Sequence, residues 1–227
     1  MSEEQTAITH AHEDYLKVIY HLEQEEGRAL TTAVAEALGV SAASATNMLK
    51  RLAEMNLVEY IPYQGVRLTE YGRNIALEVI RHHRLLELFL AQALGMPWDK
   101  VHDEADRLEH VISEDLEDAL SRALGNPTVD PHGDPIPTRE GVVQEQRGYP
   151  LVEAPTHTPL HVIRVRCQEP DVLRYLGDLG IYPGTTLLIR EKAPFHGPLL
   201  LVIGDKEHVL AHAIAEGILV APQPETE

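Results

Sequence analysis

The chain has little with which to cross-link, to anchor in a bilayer or to attract a polyanion. A single cysteine, Cys167, occurs among 227 residues. No intrachain disulfide can form, and the alternating run 161–167 around it predicts a buried strand thiol. Only 5% of the residues are aromatic, with one tryptophan. No apolar run reaches the roughly 18 residues needed to span a membrane. The opening MSEEQTAITHAHED is acidic and polar where a secretory leader is basic and then apolar, so a cytoplasmic protein without a membrane partner is expected. Basic residues are scarce as well: 19 Lys and Arg stand against 36 Asp and Glu, a formal charge of −17. A field of that sign opposes phosphate binding by the molecule as a whole. No GxxxxGK[ST] loop occurs, so Asp103-Glu104-Ala105-Asp106, a literal match to a helicase signature, is read as chance.

What the chain does have is 44% apolar content, ordinary for a globular protein of one or two domains, and a charge that is unevenly spread. Between residues 28 and 72 the basic Arg28, Lys50, Arg51 and Arg67 offset Glu36, Glu54, Glu59 and Glu70. This stretch reads as a winged helix-turn-helix. Thr31 or Thr32 caps a short helix carrying Val34, Ala35 and Leu38, and Gly39 with Val40 makes the turn. Ser41 then caps a second helix over 42–55, whose Ala45, Met48, Leu49 and Leu52 face inward. Segments 57–62 and 66–69 are β-prone around Tyr63, Gln64 and Gly65 and predict the wing, with Tyr63 and Arg67 at its tip. The outer face of the second helix offers Ser41, Ala43, Ser44, Thr46, Asn47, Lys50 and Arg51. Small hydrogen-bonding groups followed by cations suit a helix lying in a major groove, with Asn47 addressing an adenine edge and the hydroxyls and cations holding phosphates.

Two stretches farther on carry metal-ligand side chains at helical spacing. His83 and Glu87 are four apart in a helix predicted over 70–94. His102, Asp106, Glu109 and His110, at offsets 0, 4, 7 and 8, share one face of a helix predicted over 101–124. The apolar residues of that helix, among them Val101, Ala105, Leu108, Val111, Ile112, Leu116 and Leu120, recur at the same period, so the ligand candidates flank its packed side. Such helices pack on one another or on a second subunit, and a homodimer is expected. Imidazoles and carboxylates without thiolate suit Mn²⁺ or Fe²⁺, with Zn²⁺, Co²⁺ or Cd²⁺ as competitors in vitro. Bound cations would cancel part of the negative charge, making DNA affinity metal-dependent. His82 points about 100° away from His83 on a helix and is not expected to ligate; His10 and His12 are expected to face solvent.

Proline recurs between 125 and 159, notably in Asp130-Pro131-His132-Gly133-Asp134-Pro135-Ile136-Pro137, which excludes regular helix or central strand and predicts a linker. Short β-prone runs follow at 161–167, 185–191, 198–203, 208–212 and 218–221, with a helix over 171–179, and predict a small, partly open barrel. The expected class is α+β: a winged helix-turn-helix over 1–72, a helical metal-binding and dimerisation domain over 73–140, a linker over 141–158 and an SH3-like domain over 159–227.

The run Val101-His102-Asp103-Glu104-Ala105-Asp106-Arg107-Leu108-Glu109-His110-Val111, with His83-Arg84-Leu85-Leu86-Glu87 and the upstream winged helix, strongly resembles the diphtheria toxin repressor family of metal-dependent regulators over nearly the whole chain. The resemblance implies two metal sites in the helical domain and a C-terminal SH3-like domain of the ferrous-iron-transport A type, to whose turn residues 176–184 are similar. It implies a primary, activating site of Asp14, Asp106, Glu109 and His110. An ancillary site would use His83, Glu87 and His102, completed by Glu169 or Asp171, since Val172 at the family's other position cannot coordinate. Carboxylates at 14 and 106, where the iron-sensing branch has Met and Cys, resemble the manganese-sensing branch. Lys17 stands where short manganese regulators place a glutamate, which speaks against a closely spaced binuclear site there. The function implied is a dimeric, metal-activated repressor of metal-uptake genes on a palindromic operator, and not an enzyme. A His-Asp metallophosphohydrolase, suggested by His82, His83 and His102-Asp103, is the alternative. It leaves the winged helix without a role and lacks basic residues near the ligands to clamp a phosphoryl group. A metal-buffering protein would take up ions without having an operator.

Overall fold

Helix α1 (His10–Glu26) stops where Gly27 turns left-handed, φ 74°, and returns its N–H to Glu23 O, a closure glycine makes without a Cβ penalty. The computed structural model describes residues 7–61, 64–144 and 146–223, and the chain folds as two units. One comprises Met1–His82, Glu109–Ile112 and Pro137–Val142; the other comprises His83–Leu108, Ser113–Ile136 and Val143–Glu227.

In the first unit, α2 (Thr31–Ala37) and α3 (Ala42–Glu54) form the helix-turn-helix, and β1 (Val58–Ile61) pairs antiparallel with β2 (Gly65–Leu68) as the wing. Ser41 Oγ accepts from Ser44 N at 3.1 Å, which fixes the start of α3. Neither Thr31 nor Thr32 caps α2: the cap is Leu30, without a side-chain bond. Leu16, Ile19, Val34, Ala45, Leu49, Leu52 and Val66 close the core, while Met48 is only half-buried. Gly65, at φ +104°, brings the wing against the backbone, where a Cβ would lie 2.5 Å from Ala29 O. The expected wing-tip Tyr63, with Pro62, lies outside the described residues.

Helix α4 (Glu70–Leu94) runs as its period predicts. The helix expected over 101–124 does not. It is two helices, α5 (Val101–Leu108) and α6 (Glu114–Ala123). Ser113 restarts the helix by accepting Leu116 N at 3.3 Å, with Glu114, Asp115 and Glu117 in the first turn, where carboxylates favour a helix N-terminus. Glu109 and His110 therefore lie in the intervening turn and not on a helical face.

In the second unit, β3 (Tyr149–Pro150), β4 (Pro159–Val165), β5 (Thr186–Lys192), β6 (Leu199–Ile203), β7 (Lys206–Leu210) and β8 (Ile218–Pro222) form one antiparallel sheet in the order β3-β8-β4-β5-β6-β7. Irregular register between Val162 and Arg164 and between Ile189 and Glu191 adds the twist that curls a small sheet. Helix α7 (Pro170–Asp178) buries Leu173 and Leu176 in the core that also holds Trp98, Leu160, Val162 and Ile189. The run expected as strand to 212 ends at Leu210, and α8 (His212–Glu216) follows. Cys167 lies beyond the end of β4 and is half-buried, not a buried strand thiol. Within the proline-rich stretch, Asp130, His132, Asp134 and Ile136 are buried. Val165 N donates to His132 O at 2.8 Å, pinning the loop to β4. Among the described residues no helix is long and apolar enough to cross a membrane.

Candidate metal centres and nucleic-acid interface

In the first unit, Asp14, Glu109 and His110 bring ligand atoms within 4.8 Å of one another. His110 Nε2 is 2.9 Å from Asp14 Oδ1 and 3.4 Å from Glu109 Oε1. Its other nitrogen, Nδ1, is 2.6 Å from Glu13 Oε2. A carboxylate on the distal nitrogen fixes the ring's tautomer and orientation and leaves Nε2 for an ion. Lys17 Nζ reaches Glu109 Oε1 at 2.6 Å, so this site carries a resident cation beside its buried carboxylate. His82 does not join it as a ligand but meets Glu109 O through Nδ1 at 3.1 Å. His10 stacks on His110 with centroids 4.8 Å apart. His12, expected in solvent, is buried, and its Nδ1 accepts from Thr9 N at 3.2 Å; burial, then the charge of Arg51, lowers its pKa.

In the second unit, His83 Nε2, Glu87 Oε1 and His102 Nδ1 form a near-equilateral triangle with sides of 3.0, 3.0 and 3.1 Å. Two of these sides are hydrogen bonds, and the same three atoms converge as ligands of a divalent ion would. Asp106 does not fall in with Asp14, Glu109 and His110. It lies 3.3 Å from His83 Nδ1 and 3.7 Å from His102 Nε2, the distal nitrogens of both rings. The reason is the end of α5 at Leu108: Asp106 stays on the helical face of His102, four residues earlier, while Glu109 and His110 leave in the turn.

A third group, Glu87, Asp130 and His132, went unnoticed in the sequence and is wholly buried. Burial opposes ionisation of Glu87, but the imidazoles of His83, His102 and His132 outweigh it and hold its carboxyl well below the usual range. Burial, then the carboxylates of Asp134 and Glu87, pushes Asp130 up to about 8. Burial also opposes the charged form of His132, yet Glu87 and Asp130 raise it to about 9. The signal available was the Asp-x-His-x-Asp alternation inside the proline-rich run; Glu13 offered only its place beside Asp14.

Glu169 stands exposed at the cap of α7 and in none of these three groups. Asp171 pairs with Arg174 at 2.6 Å and is 93% exposed. The side chain that reaches back is that of Gln168, donating to Asp134 Oδ2 at 3.0 Å. On the reading head, Ser41, Ala43, Ser44, Asn47, Lys50, Arg51 and, on β2, Arg67 are exposed. Thr46 differs: it is half-buried and its hydroxyl donates to Ala42 O at 2.7 Å, so it offers a methyl more readily than a phosphate contact.

Three families of known domains match successive parts of the chain. Residues 7–66 match the N-terminal DNA-binding domain of iron-dependent repressors, residues 69–138 their metal-binding and dimerisation domain, and residues 149–222 the FeoA domain. The iron-dependent repressor IdeR of Mycobacterium tuberculosis is 34% identical over 220 residues, 92% of this chain and 95% of that protein. The diphtheria toxin repressor of Corynebacterium diphtheriae is 35% identical over 69% of this chain and 72% of that one. Among solved structures, a manganese-dependent transcriptional repressor in complex with manganese superposes with TM-score 0.84 at 37% identity, covering 93% of this chain and all of that one. The manganese regulator SloR does so with TM-score 0.74 at 30% identity, over 93% of this chain and 98% of that one.

Proposed function

The chain belongs to the iron-dependent repressor family of metal-dependent, DNA-binding transcriptional repressors, and from that premise we propose that it senses Mn²⁺, with Fe²⁺ as the second candidate, through two sites and represses metal-uptake genes in the cytoplasm. The first site comprises Asp14, Glu109 and His110. The second comprises His83, Glu87 and His102, with Asp106 beside the distal nitrogen of His83. The observation that carries the reading is the meeting of Asp14, on the first helix of the DNA-reading unit, with Glu109 and His110 from the turn after α5. A divalent ion bound there supplies positive charge that offsets Asp14 and Glu109. Without it the two carboxylates repel, and Lys17 offsets only one charge. Glu13 keeps His110 Nε2 facing the ligand position, so balancing the charges strengthens the hold of α1 on the turn that Glu13–His110 and Lys17–Glu109 already provide. Preference of the ligands for the joined arrangement shifts the population toward it, by typically 1–3 kcal/mol for an allosteric coupling.

Exposed Leu94, Leu108 and Leu116 support a homodimer built on the helical region. Two reading helices at about 34–36 Å, or a multiple, would then address a palindromic operator. The enzymatic alternative is set aside because the relatives that match nine-tenths of the chain are repressors. The test is fluorescence anisotropy with promoter DNA of a manganese importer, in chelator and then with Mn²⁺, Fe²⁺ and Zn²⁺ in turn. Tight binding only with metal, strongest with Mn²⁺ at physiological ion levels, is expected; binding that is equal in chelator would overturn the reading.

A further inference from the structure

The two oxygens of Glu87 face different groups. Oε1 belongs to the triangle with His83 Nε2 and His102 Nδ1, whereas Oε2 points to His132 Nδ1, 3.8 Å away. That separation is too long for a hydrogen bond. His132 Nε2 lies 2.9 Å from Trp98 O; a carbonyl can only accept, so Nε2 is the donor and Nδ1 is the end aimed at Glu87. An imidazole whose far N–H is held by a carbonyl is the arrangement in which the near nitrogen ligates an ion. The same pattern recurs at His110 with Glu13 and at His83 with Asp106.

Asp130 is built the same way. Its Oδ1 accepts from His132 N at 2.8 Å and Asp134 N at 2.9 Å, which locks the carboxylate and directs Oδ2 inward. Asp130 Oδ2 and His132 Nδ1 have no hydrogen-bond partner, although the two residues are only 4% and 0% exposed. Buried polar atoms without partners are rare and costly. The nearest cation to Oδ2 is Arg84, at 3.8 Å, whose NH1 is committed to Pro135 O. Two carboxylates and one imidazole with their lone pairs converging, and no thiolate among them, suit a hard-to-borderline divalent ion.

We infer that Glu87 bridges two divalent ions, its Oε1 serving the ion at His83 and His102 and its Oε2 a second, buried ion held by Asp130 Oδ2 and His132 Nδ1. The first ion rests on the assignment made under Proposed function; the second does not. Carboxylate-bridged ions stand about 3.5–4 Å apart. At that distance two Mn²⁺ ions are magnetically coupled. The buried position ties α4 to the loop that carries Asp130 and, through His132 O and Val165 N, to β4 of the SH3-like domain.

The test counts Mn²⁺ per protomer by elemental analysis of the full-length protein after chelation and reloading, and records the frozen-solution EPR spectrum. Asp130→Asn is the chief variant, because its amide oxygen still accepts the two backbone N–H groups while an NH₂ replaces Oδ2. His132→Gln is the second, with circular dichroism to establish folding, and Asp130→Asn decides if it fails to fold. The parent should show a coupled component beside the uncoupled signal of the ion at Asp14, Glu109 and His110. Each of these variants should bind one ion fewer and show uncoupled Mn²⁺, and Glu87→Gln should lose both ions. Parent-like counts in Asp130→Asn, or a loaded parent whose spectrum lacks any coupled component, would overturn the bridge. His102→Ala separates the two assignments. Loss of one ion there with no change in Asp130→Asn rejects the bridge and keeps the earlier site; an unchanged count in His102→Ala rejects the earlier site and the bridge with it.

Discussion

Glu13 Oε2 lies 2.6 Å from His110 Nδ1 while Asp14 Oδ1 lies 2.9 Å from Nε2 of the same ring, so adjacent residues on α1 grip opposite ends of one imidazole. In the proposed site Glu13 would act through the ring and Asp14 at the ion. Glu13→Gln should therefore weaken Mn²⁺ binding at this site by roughly 10–100-fold, the usual effect of removing a partner to a ligating histidine, while leaving the melting temperature of the chelated protein within a few degrees of the parent. Isothermal titration calorimetry checks it. Unchanged affinity would mean that the ring is oriented without Glu13.

Lys50 and Arg51 stand exposed on the outer face of α3. If they contact phosphates, each alanine substitution should weaken DNA binding about equally across sequences and reduce the slope of log K against log salt by about 1. Anisotropy titrations over a range of KCl concentrations give the slope; a parent-like slope for both variants would remove them from the interface.

Asp130 and His132 make the metal-free protein sensitive to alkali. Asp130 titrates at about 8 in the folded chain against 3.8 in the unfolded, and His132 at about 9 against 6.5. In each case the folded state holds a proton that the unfolded state has released, so stability falls as pH rises between the two values. The effects coincide from about pH 6.5 to 8. Glu87, held low, contributes stability above its ordinary range and loses it only in acid. Urea denaturation in EDTA should thus give lower stability at pH 9 than at pH 6. Saturating Mn²⁺ should flatten or reverse the trend, because bound metal replaces the protons. A stability in EDTA that rises over this range would contradict the protonation scheme.

Gly133 and Gly125 separate conformational strain from collision. Both have positive φ, +87° and +78°. A Cβ at Gly133 would meet Ile163 O at 2.1 Å and Arg164 Cα at 2.8 Å, whereas at Gly125 it meets nothing within 4 Å. Gly125→Ala should cost about 1 kcal/mol from the left-handed backbone alone. Gly133→Ala should cost more, beyond about 3 kcal/mol, since backbone must move as well. Equal values by chemical denaturation would show that the loop yields freely.

How far these features could be read in advance differs from element to element. Helix α4 announced itself because Leu77, Ile80 and Leu85 recur at a helical interval and no breaker intervenes. The reading head was legible through Ser41 and Gly39, whose chemistry acts locally. The break after Leu108 was not, because Val111, Ile112 and Leu116 continue the apolar period across it, and only Ser113 with the acids after it marked a new start. That break moved Asp106 from the expected company of Asp14 to the imidazoles of His83 and His102. Proline and glycine around His132 exclude regular structure but say nothing of burial, which here comes from long-range contacts such as Val165 N to His132 O. Glu169 is implied by resemblance alone, and it stands exposed.

We propose that an ion at Asp14, Glu109 and His110 sets the affinity for DNA. This is tested most directly by measuring operator binding of the parent and of Asp14→Ala by fluorescence anisotropy at saturating Mn²⁺, with circular dichroism to establish that both are folded. The parent should bind tightly, and the variant no better than the parent does in chelator. Equal operator affinity for the two proteins at saturating Mn²⁺ would contradict it.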